Sequence, residues 1–514
     1  MKRIILCLAA ALMLMVSQAA HAQEAVNPLL YSYQAVQFGD QNVSHDPVTL
    51  VMPGTAFSGG FSSYLDNPAS AALFDESFGE FGLSFRQVDE QSLFLNNRIS
   101  FDDNQIGISN LGFVYSFPTV RGSLVMGAGY SQHSFYNRAM SVSGRNNQTT
   151  ITDAFKIPGS PYADIAFNTF AIDYGDEFED WDESIFRIGF NDFGDFRGIS
   201  QEAEIIERGR GGDFSAFLAT EFMENLMVGA SIGIQSGRYN YERIFLEIDE
   251  FNDYNRNIID SNEDGQGDTD IDNILLDEVL RSEYLSFTAR IGAIFKLSEF
   301  FNIGASYTFP SKLNVDEEFD ARIKSTFNNG VEFEDELLTE FNYSVTAPAR
   351  INVGAAIVDL AGFNASVSAE YVDYSKTRIE FDADEFEEQR NENNFIRDNY
   401  TDVWNLRGGI AVDVTNALTL RAGYGLRPSR FRDIDIEMQQ FSAGIGFGLT
   451  PATRLELGAQ YTMWNENQST VYEYGEYDYT VLPNEAPFPV VQSEFAGREV
   501  NRLQVMATLR FKFN

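Results

Sequence analysis

Segments in which apolar and polar residues alternate recur about fourteen times along this chain, and the connections between them alternate short and long. Successive side chains of a β-strand point to opposite faces, so alternation marks strands with one greasy and one wet side. The final stretch, RLQVMATLRFKFN, shows the pattern. Leu503, Val505, Ala507, Leu509, Phe511 and Phe513 share one face; Arg502, Gln504, Thr508, Arg510 and Lys512 share the other. Such a strand either covers a core and faces water, or faces lipid outside and a wet lumen inside.

The segments run 78–87, 107–118, 122–135, 213–222, 226–246, 283–297, 300–320, 336–358, 363–382, 401–414, 417–428, 438–449, 452–466 and 497–514. Short connections lie around Thr119-Val120-Arg121, Met223-Glu224-Asn225, Ser298-Glu299, Leu360-Ala361-Gly362, Thr415-Asn416 and Pro451. The long ones are 88–106, 136–212, 247–282, 321–335, 383–400, 429–437 and 467–496. Outer-membrane barrels have short periplasmic turns and longer external loops, and a soluble sandwich has no reason to segregate loop length. The expected fold is therefore all-β: a transmembrane antiparallel β-barrel of about fourteen strands over 78–514, in the bacterial outer membrane. Outer-membrane lipid and lipopolysaccharide are then expected partners. The closing Phe-Lys-Phe-Asn resembles the signal read by the barrel-assembly machinery, although Asn514 follows the aromatic Phe513.

The opening agrees with export. Lys2 and Arg3, an apolar run over 4–16 and Ala20-His21-Ala22 form a signal peptide over 1–22. The one cysteine, Cys7, lies inside it, so the expected mature chain has no disulfide, thiolate metal site or cysteine nucleophile. A formal charge of −40 excludes nucleic acid as a partner, while 45 Phe and 14% aromatic content argue against disorder.

Residues 23–77 do not alternate, and the glycines and proline of VMPGTAFSGGFSSYLDNPASAALF oppose strand pairing. A barrel of this size encloses more space than its own side chains fill, so a plug is reasonable. GTAFSGGF followed by Asp66-Asn67-Pro68-Ala69 resembles the N-terminal hatch of FadL/TodX-type hydrocarbon transporters, in a divergent Bacteroidetes-like branch. The blocks GASYTFPSKLNVDEEFDA, SVTAPARINVGAA and SAEYVDYSKTRIEF agree. The resemblance implies fourteen strands around a hatch whose motif is Asn67, Pro68 and Ala69. It also implies a hydrophobic small-molecule ligand, fatty-acid- or hydrocarbon-like, that binds outside and leaves sideways into the membrane.

A sideways exit needs a gap in the strand ladder, made by a bulge, proline or glycine. The third strand carries Gly122, Gly127 and Gly129, and its consecutive polar Ser131, Gln132 and His133 break the alternation. A kink there, with Gly127, Gly129 and His133 as a lateral-gate strand, is one expectation; close strand packing is the other. Inward arginines, Arg290, Arg350, Arg421, Arg454 and Arg502, suit a carboxylate headgroup. The stronger expectation is that they pair with lumen acids such as Glu456 and hold the hatch.

DSNEDGQGDTDID follows the start of a calcium loop, with Asp260, Asn262, Asp264, Gln266 and Asp268 as candidate ligands. Ile271 stands where a bidentate Glu belongs, and 247–282 holds twelve acids against two arginines, so a solvated acidic loop is the alternative. Ca²⁺ is the only cofactor suggested. Catalysis is not expected: after processing only His45 and His133 remain, and neither sits in a nucleophile–base arrangement. Two alternatives to a hydrophobe transporter stay open, a general porin-like channel and a surface protein that binds partners through acidic loops.

Overall fold

A computed structural model describes residues 26–41, 46–156, 160–175, 178–188, 196–262, 264–381, 386–477 and 489–513. The signal-peptide segment 1–22 and His45 lie outside the described residues.

Seventeen hydrogen-bonded pieces close into one antiparallel sheet of fourteen strands, because three strands are each broken in two. They are β1 (Ser77–Phe94), β2 (Asn97–Ser116), β3 (Leu124–Asn146), β4 (Ile199–Met223), β5 (Leu226–Ile248) and β6 (Ile271–Ser298). Then come β7 (Phe301–Thr308 with Ser311–Phe327), β8 (Glu332–Ala347 with Arg350–Leu360) and β9 (Phe363–Asp373 with Arg378–Phe381). The circuit ends with β10 (Asp402–Thr415), β11 (Leu418–Arg427), β12 (Met438–Thr450), β13 (Thr453–Tyr477) and β14 (Pro489–Phe513). β1 and β14 close the barrel in unbroken register from Ser77↔Phe513 to Leu93↔Gly497. Pro310 and Pro348 sit at the breaks in β7 and β8, where a missing N–H interrupts a ladder.

The faces segregate as the alternation requires. Phe81, Leu111, Phe113, Phe214, Leu218, Ile234, Phe287, Leu420 and Phe511 are exposed on the outer wall, while Gln504, Met506 and Thr508 are buried on the inner one. An outward apolar band of this kind belongs against acyl chains. No helix among the described residues is long and apolar enough to cross a membrane.

The wall is taller than the sequence suggests. β6 runs 28 residues, against the ~9–11 that cross a bilayer. The long loop expected at 88–106 is instead a tight turn at Leu95 and Asn96, both with positive φ. The loops expected at 136–212, 247–282 and 321–335 shrink to the links between β3 and β4, β5 and β6, and β7 and β8. The reason is physical: above the membrane the ladder continues, but its outward residues are acids such as Glu204, Glu318 and Glu334. Its apolar residues, such as Leu313, Val315, Phe319 and Ile323, face inward onto a buried core, so the polarity of the two faces is the reverse of that in the lipid-facing band. The segment 383–400, expected as a loop, contains helix α2 (Phe386–Asn399).

Inside, the N-terminal segment fills the barrel. Helix α1 (Tyr31–Gly39) and short 3₁₀ turns at Phe61–Leu65 and Pro68–Leu73 are almost wholly buried. Phe61, Tyr64, Ala69 and Ala71 form an apolar core with Val114, Phe217, Met227 and Ile294 of the wall.

Candidate functional site

Asn67 ties this segment to the wall. Its Oδ1 accepts the Ala69 N–H (3.0 Å), capping the turn that begins at Pro68. Its Nδ2 donates to the carbonyls of Thr55 (2.7 Å) and of Ala293 on β6 (3.1 Å). The approach is close because the wall is glycine there. Gly229 and Gly292 are cross-strand partners on β5 and β6. A Cβ at Gly292 would collide with Asn67 Oδ1, and one at Gly229 would overlap the Pro68–Ala69 peptide.

The same device recurs around the lumen. Gly304 and Gly354, paired across β7 and β8, admit Thr55; Gly409 and Gly423, paired across β10 and β11, admit the Val51 carbonyl. Gly112 and Gly129, paired across β2 and β3, admit the Phe61 ring. A belt of paired glycines thus seats the N-terminal segment against bare backbone. Sequence inspection shows the glycines but not that they share one height, since that depends on register.

Charge fixes the other end. Asp40, at the end of α1, takes both oxygens to Arg427 (2.8 Å each) and one to the Tyr374 hydroxyl (2.6 Å). Burial alone raises this carboxyl, but Arg427, Arg350 and Arg430 outweigh it and hold it well below the usual carboxylate range. Arg350 also donates to the Gly39 carbonyl (2.7 Å) and to Glu370 (3.2 Å). Arg290 pairs with buried Asp213 (2.9 Å), and Arg421 and Arg454 converge on Glu456 (2.6 and 2.5 Å). These four predicted headgroup ligands are therefore already neutralised by lumen carboxylates.

Two arginines differ. Arg502 and Arg86 form no ion pair among the described residues, and they flank the Phe135 ring at 4.8 and 3.9 Å. Arg502 also lies 4.9 Å from the Trp464 ring, and Arg86 donates to the neutral Gln132 amide (2.9 Å). Arg86 and Phe135 were not singled out by sequence, because only the fold brings them together across β1, β3 and β14. Arg502, Phe135 and Trp464 border a cavity of about 120 Å³ whose other walls include apolar Val403, Ile436 and Met438 and charged Asp40, Arg138, Glu207 and Glu466. For scale, a cavity of ~150 Å³ accepts benzene.

The strand ladder breaks beside this cavity. β2 and β3 pair from Ser116↔Val125 only as far as Asn110↔Ser131, although both strands continue upward. β3 bulges at His133 against β4, and β2 bulges at Ser109 against β1. From Ser131 to Met140 every residue of β3 is buried. A strand in the lipid-facing wall exposes alternate residues, so this one has turned into the lumen. The break falls at Ser131–His133, not at Gly127 and Gly129, which stay in the paired ladder and make room for Phe217 and Phe61. Side chains bridge the unpaired stretch: Gln105 donates to the Tyr136 carbonyl (3.2 Å), and Arg208 of β4 reaches Asp103 of β2 (2.8 Å).

A second ladder break, between the upper piece of β9 and β10, is sealed. Asn393 and Gln389 of α2 bond the free backbone of Ile379 and Phe381. Glu392 on the same helix accepts the Ser32 N–H of α1 (2.9 Å), and burial pushes its carboxyl up to about 7. A carboxyl raised on folding stabilises fully below its unfolded value near 4.5 and progressively less as pH rises through 7. Hydrogen exchange at the Ser32 amide is therefore expected to accelerate, by on the order of tenfold beyond intrinsic chemistry, between pH 5 and 8. Glu392→Gln is expected to remove that dependence.

The acidic loop folds on itself. Asp260 accepts the N–H groups of Asp264 and Gly265 (3.1 and 2.6 Å), and Asp264 accepts that of Gln266 (2.9 Å). Asp268 accepts from Ser261 and Asn262. Among the described residues no group of three or more His, Asp or Glu side chains is arranged to hold a metal.

Fold and site together define a fourteen-strand transmembrane barrel, filled from within by its N-terminal segment and interrupted in its wall. A model of the family described as outer membrane protein transport protein (OMPP1/FadL/TodX) matches residues 214–486. The chain belongs to this family of outer-membrane transport proteins, not enzymes. The toluene transporter TodX of P. putida has a similar fold, with TM-score 0.50 at 12% identity over 92% of this chain and 100% of that one. The toluene transporter TbuX of Ralstonia pickettii gives 0.47 at 13% identity, covering 91% and 98% of the two chains. The monoaromatic hydrocarbon channel CymD gives 0.48 at 13%, covering 92% and 99%. No curated relative matches the chain.

Proposed function

We propose that this protein carries small hydrophobic molecules, carboxylates among them by preference, from outside through the gap between β2 and β3 into the membrane. The observation that carries this reading is the placement of the cavity. It lies against the inturned segment of β3, whose Phe135, Tyr136 and Arg138 line it, at the level where the β2–β3 ladder has ceased. Below it the lumen is occupied by the seated N-terminal segment, which acts as a hatch. A greasy solute that leaves an apolar pocket for water loses ~0.8 kcal/mol per methylene; leaving for lipid avoids that loss.

Carboxylate preference is read from Arg502, which borders the cavity beside Phe135 and Trp464 and forms no ion pair among the described residues, with Arg86 on the Phe135 ring as well. A guanidinium buried without a partner is costly, and a ligand carboxylate relieves it. The test is uptake into proteoliposomes of three solutes of similar size: an aromatic hydrocarbon, the matching aromatic acid and a sugar. The hydrocarbon and the acid are expected to enter and the sugar to be excluded; equal passage of the sugar establishes the porin-like alternative. Arg502→Gln is expected to weaken binding of the acid about tenfold or more and leave the hydrocarbon unchanged. Equal losses for both solutes would remove the headgroup role.

A further inference from the structure

The exposed basic side chains on the upper outer wall are mostly paired. Arg281 meets Glu318, Arg322 meets Asp277 and Glu334, Lys312 meets Glu380, Lys324 meets Glu332, and Arg208 meets Asp103. Arg210 and Arg238 are the exception on β4 and β5. They are exposed, they are direct cross-strand partners, and neither forms an ion pair among the described residues. Like charges placed opposite each other on antiparallel strands, ~4.5–5.5 Å apart at Cβ, destabilise a sheet unless something of opposite sign lies between them. Glu283 on β6 stands directly opposite Arg238, and Asp316 on β7 opposite Glu283, but among the described residues neither carboxylate comes within ion-pair distance of either arginine.

The height of the pair identifies what it meets. Two outward positions below Arg210 and Arg238 stand Phe214 and Ile234, in register with Phe287, within the apolar band. The position between is taken by Gly212, on which the Tyr130 ring packs, and by the small Ser236, so the wall is recessed there. The hollow, about 520 Å³, has a largely apolar floor of Ile108, Leu111, Tyr130, Phe214 and Leu285; the two arginines border it on one side and Glu283 and Asp316 on the other. A basic pair directly above a greasy recess, at the upper edge of a lipid-facing band, matches an amphiphile whose headgroup is anionic and whose tail lies in the bilayer.

We infer that Arg210 and Arg238 bind a phosphate of lipid A, the phosphorylated glycolipid anchor of lipopolysaccharide, with an acyl chain in the hollow below. The two guanidiniums favour a phosphate monoester because it carries about −1.5 to −2 charges and three acceptor oxygens, enough for both. A phosphodiester carries a single charge. The recess reaches the end of the β2–β3 ladder through Ile108, Leu111 and Tyr130, so a bound acyl chain lies beside that break; lipid binding is nevertheless read without any measurement of transport.

The test uses the full chain, purified in mild detergent, exchanged free of lipid and incubated with bisphosphorylated lipid A, enzymatically dephosphorylated lipid A or phosphatidylglycerol. Bound lipid is counted by native mass spectrometry. Bisphosphorylated lipid A is expected to bind at least tenfold more tightly than the other two, and less tightly as salt rises. Arg210→Gln with Arg238→Gln is expected to abolish that difference. Arg281→Gln with Arg322→Gln, which removes paired arginines from the same wall, is expected to preserve it. Equal binding of dephosphorylated lipid A, or of phosphatidylglycerol, overturns the assignment. So does a double variant that retains wild-type selectivity. Should the double variant fail to assemble, the comparison of the three lipids on the wild-type chain still decides.

Discussion

Tethering β2 to β4 across the inturned strand is expected to stop hydrophobe uptake while leaving the barrel intact. Asp103 and Arg208 supply the positions, since their side chains already meet across the unpaired stretch at 2.8 Å. The chain's sole cysteine is Cys7, outside the described residues, so Asp103→Cys with Arg208→Cys introduces a clean pair. Before crosslinking, the double variant is expected to transport at least as well as wild type. The lost pair is partly exposed and worth only ~0–1 kcal/mol, and its removal loosens the window. After reaction with a bismaleimide short enough to fix the two backbones at native spacing, uptake is expected to fall by an order of magnitude or more. Each single-cysteine variant treated in the same way is expected to keep its activity. Uptake that persists after complete crosslinking sends the route elsewhere, either downward past the hatch or through another part of the wall.

The second large effect concerns the seat of the hatch. Gly292→Leu places a branched side chain where Asn67 Oδ1 now lies. Asn67 must move, and with it go its bonds to Thr55 and Ala293. Each buried polar group left unsatisfied costs ~1–3 kcal/mol. The expected outcome is a leaky barrel, with single-channel conductance and sensitivity of cells to bulky polar antibiotics rising several-fold or more. Gly497→Leu is the control, because nothing lies within 4 Å of a Cβ there. Asn67→Ala separates loss of the bonds from steric intrusion and is expected to leak less. If Gly292→Leu assembles and stays as tight as wild type, the glycine belt is not what holds the hatch in place.

The glycine belt also shows where sequence and structure part company. Alternation of period two is a local property, so it specified the strands, their two faces and the short turns without any knowledge of neighbours. Arg502 and Phe511 fall on opposite faces of β14, as parity requires. Asn67, Pro68 and Ala69 were singled out through resemblance, and in the fold Asn67 caps a 3₁₀ turn that begins at Pro68.

What depends on register was not legible. Whether Gly229 meets Gly292, whether Arg290 meets Asp213 or Arg502 meets no acid, and where the β2–β3 ladder ends are decided between residues far apart in the chain. The upper wall escaped detection for a different reason. Once a strand rises out of lipid, its polar residues face outward and its apolar ones face a buried core, so the pattern that marks a lipid-facing wall is reversed. The sequence by itself determined the barrel and its orientation of faces, because lipid outside and water inside impose a repeating local demand on every strand. Only the tertiary structure decided the gap, the seat of the hatch and the unpaired arginines, because each is a contact energy between distant segments that no local pattern records.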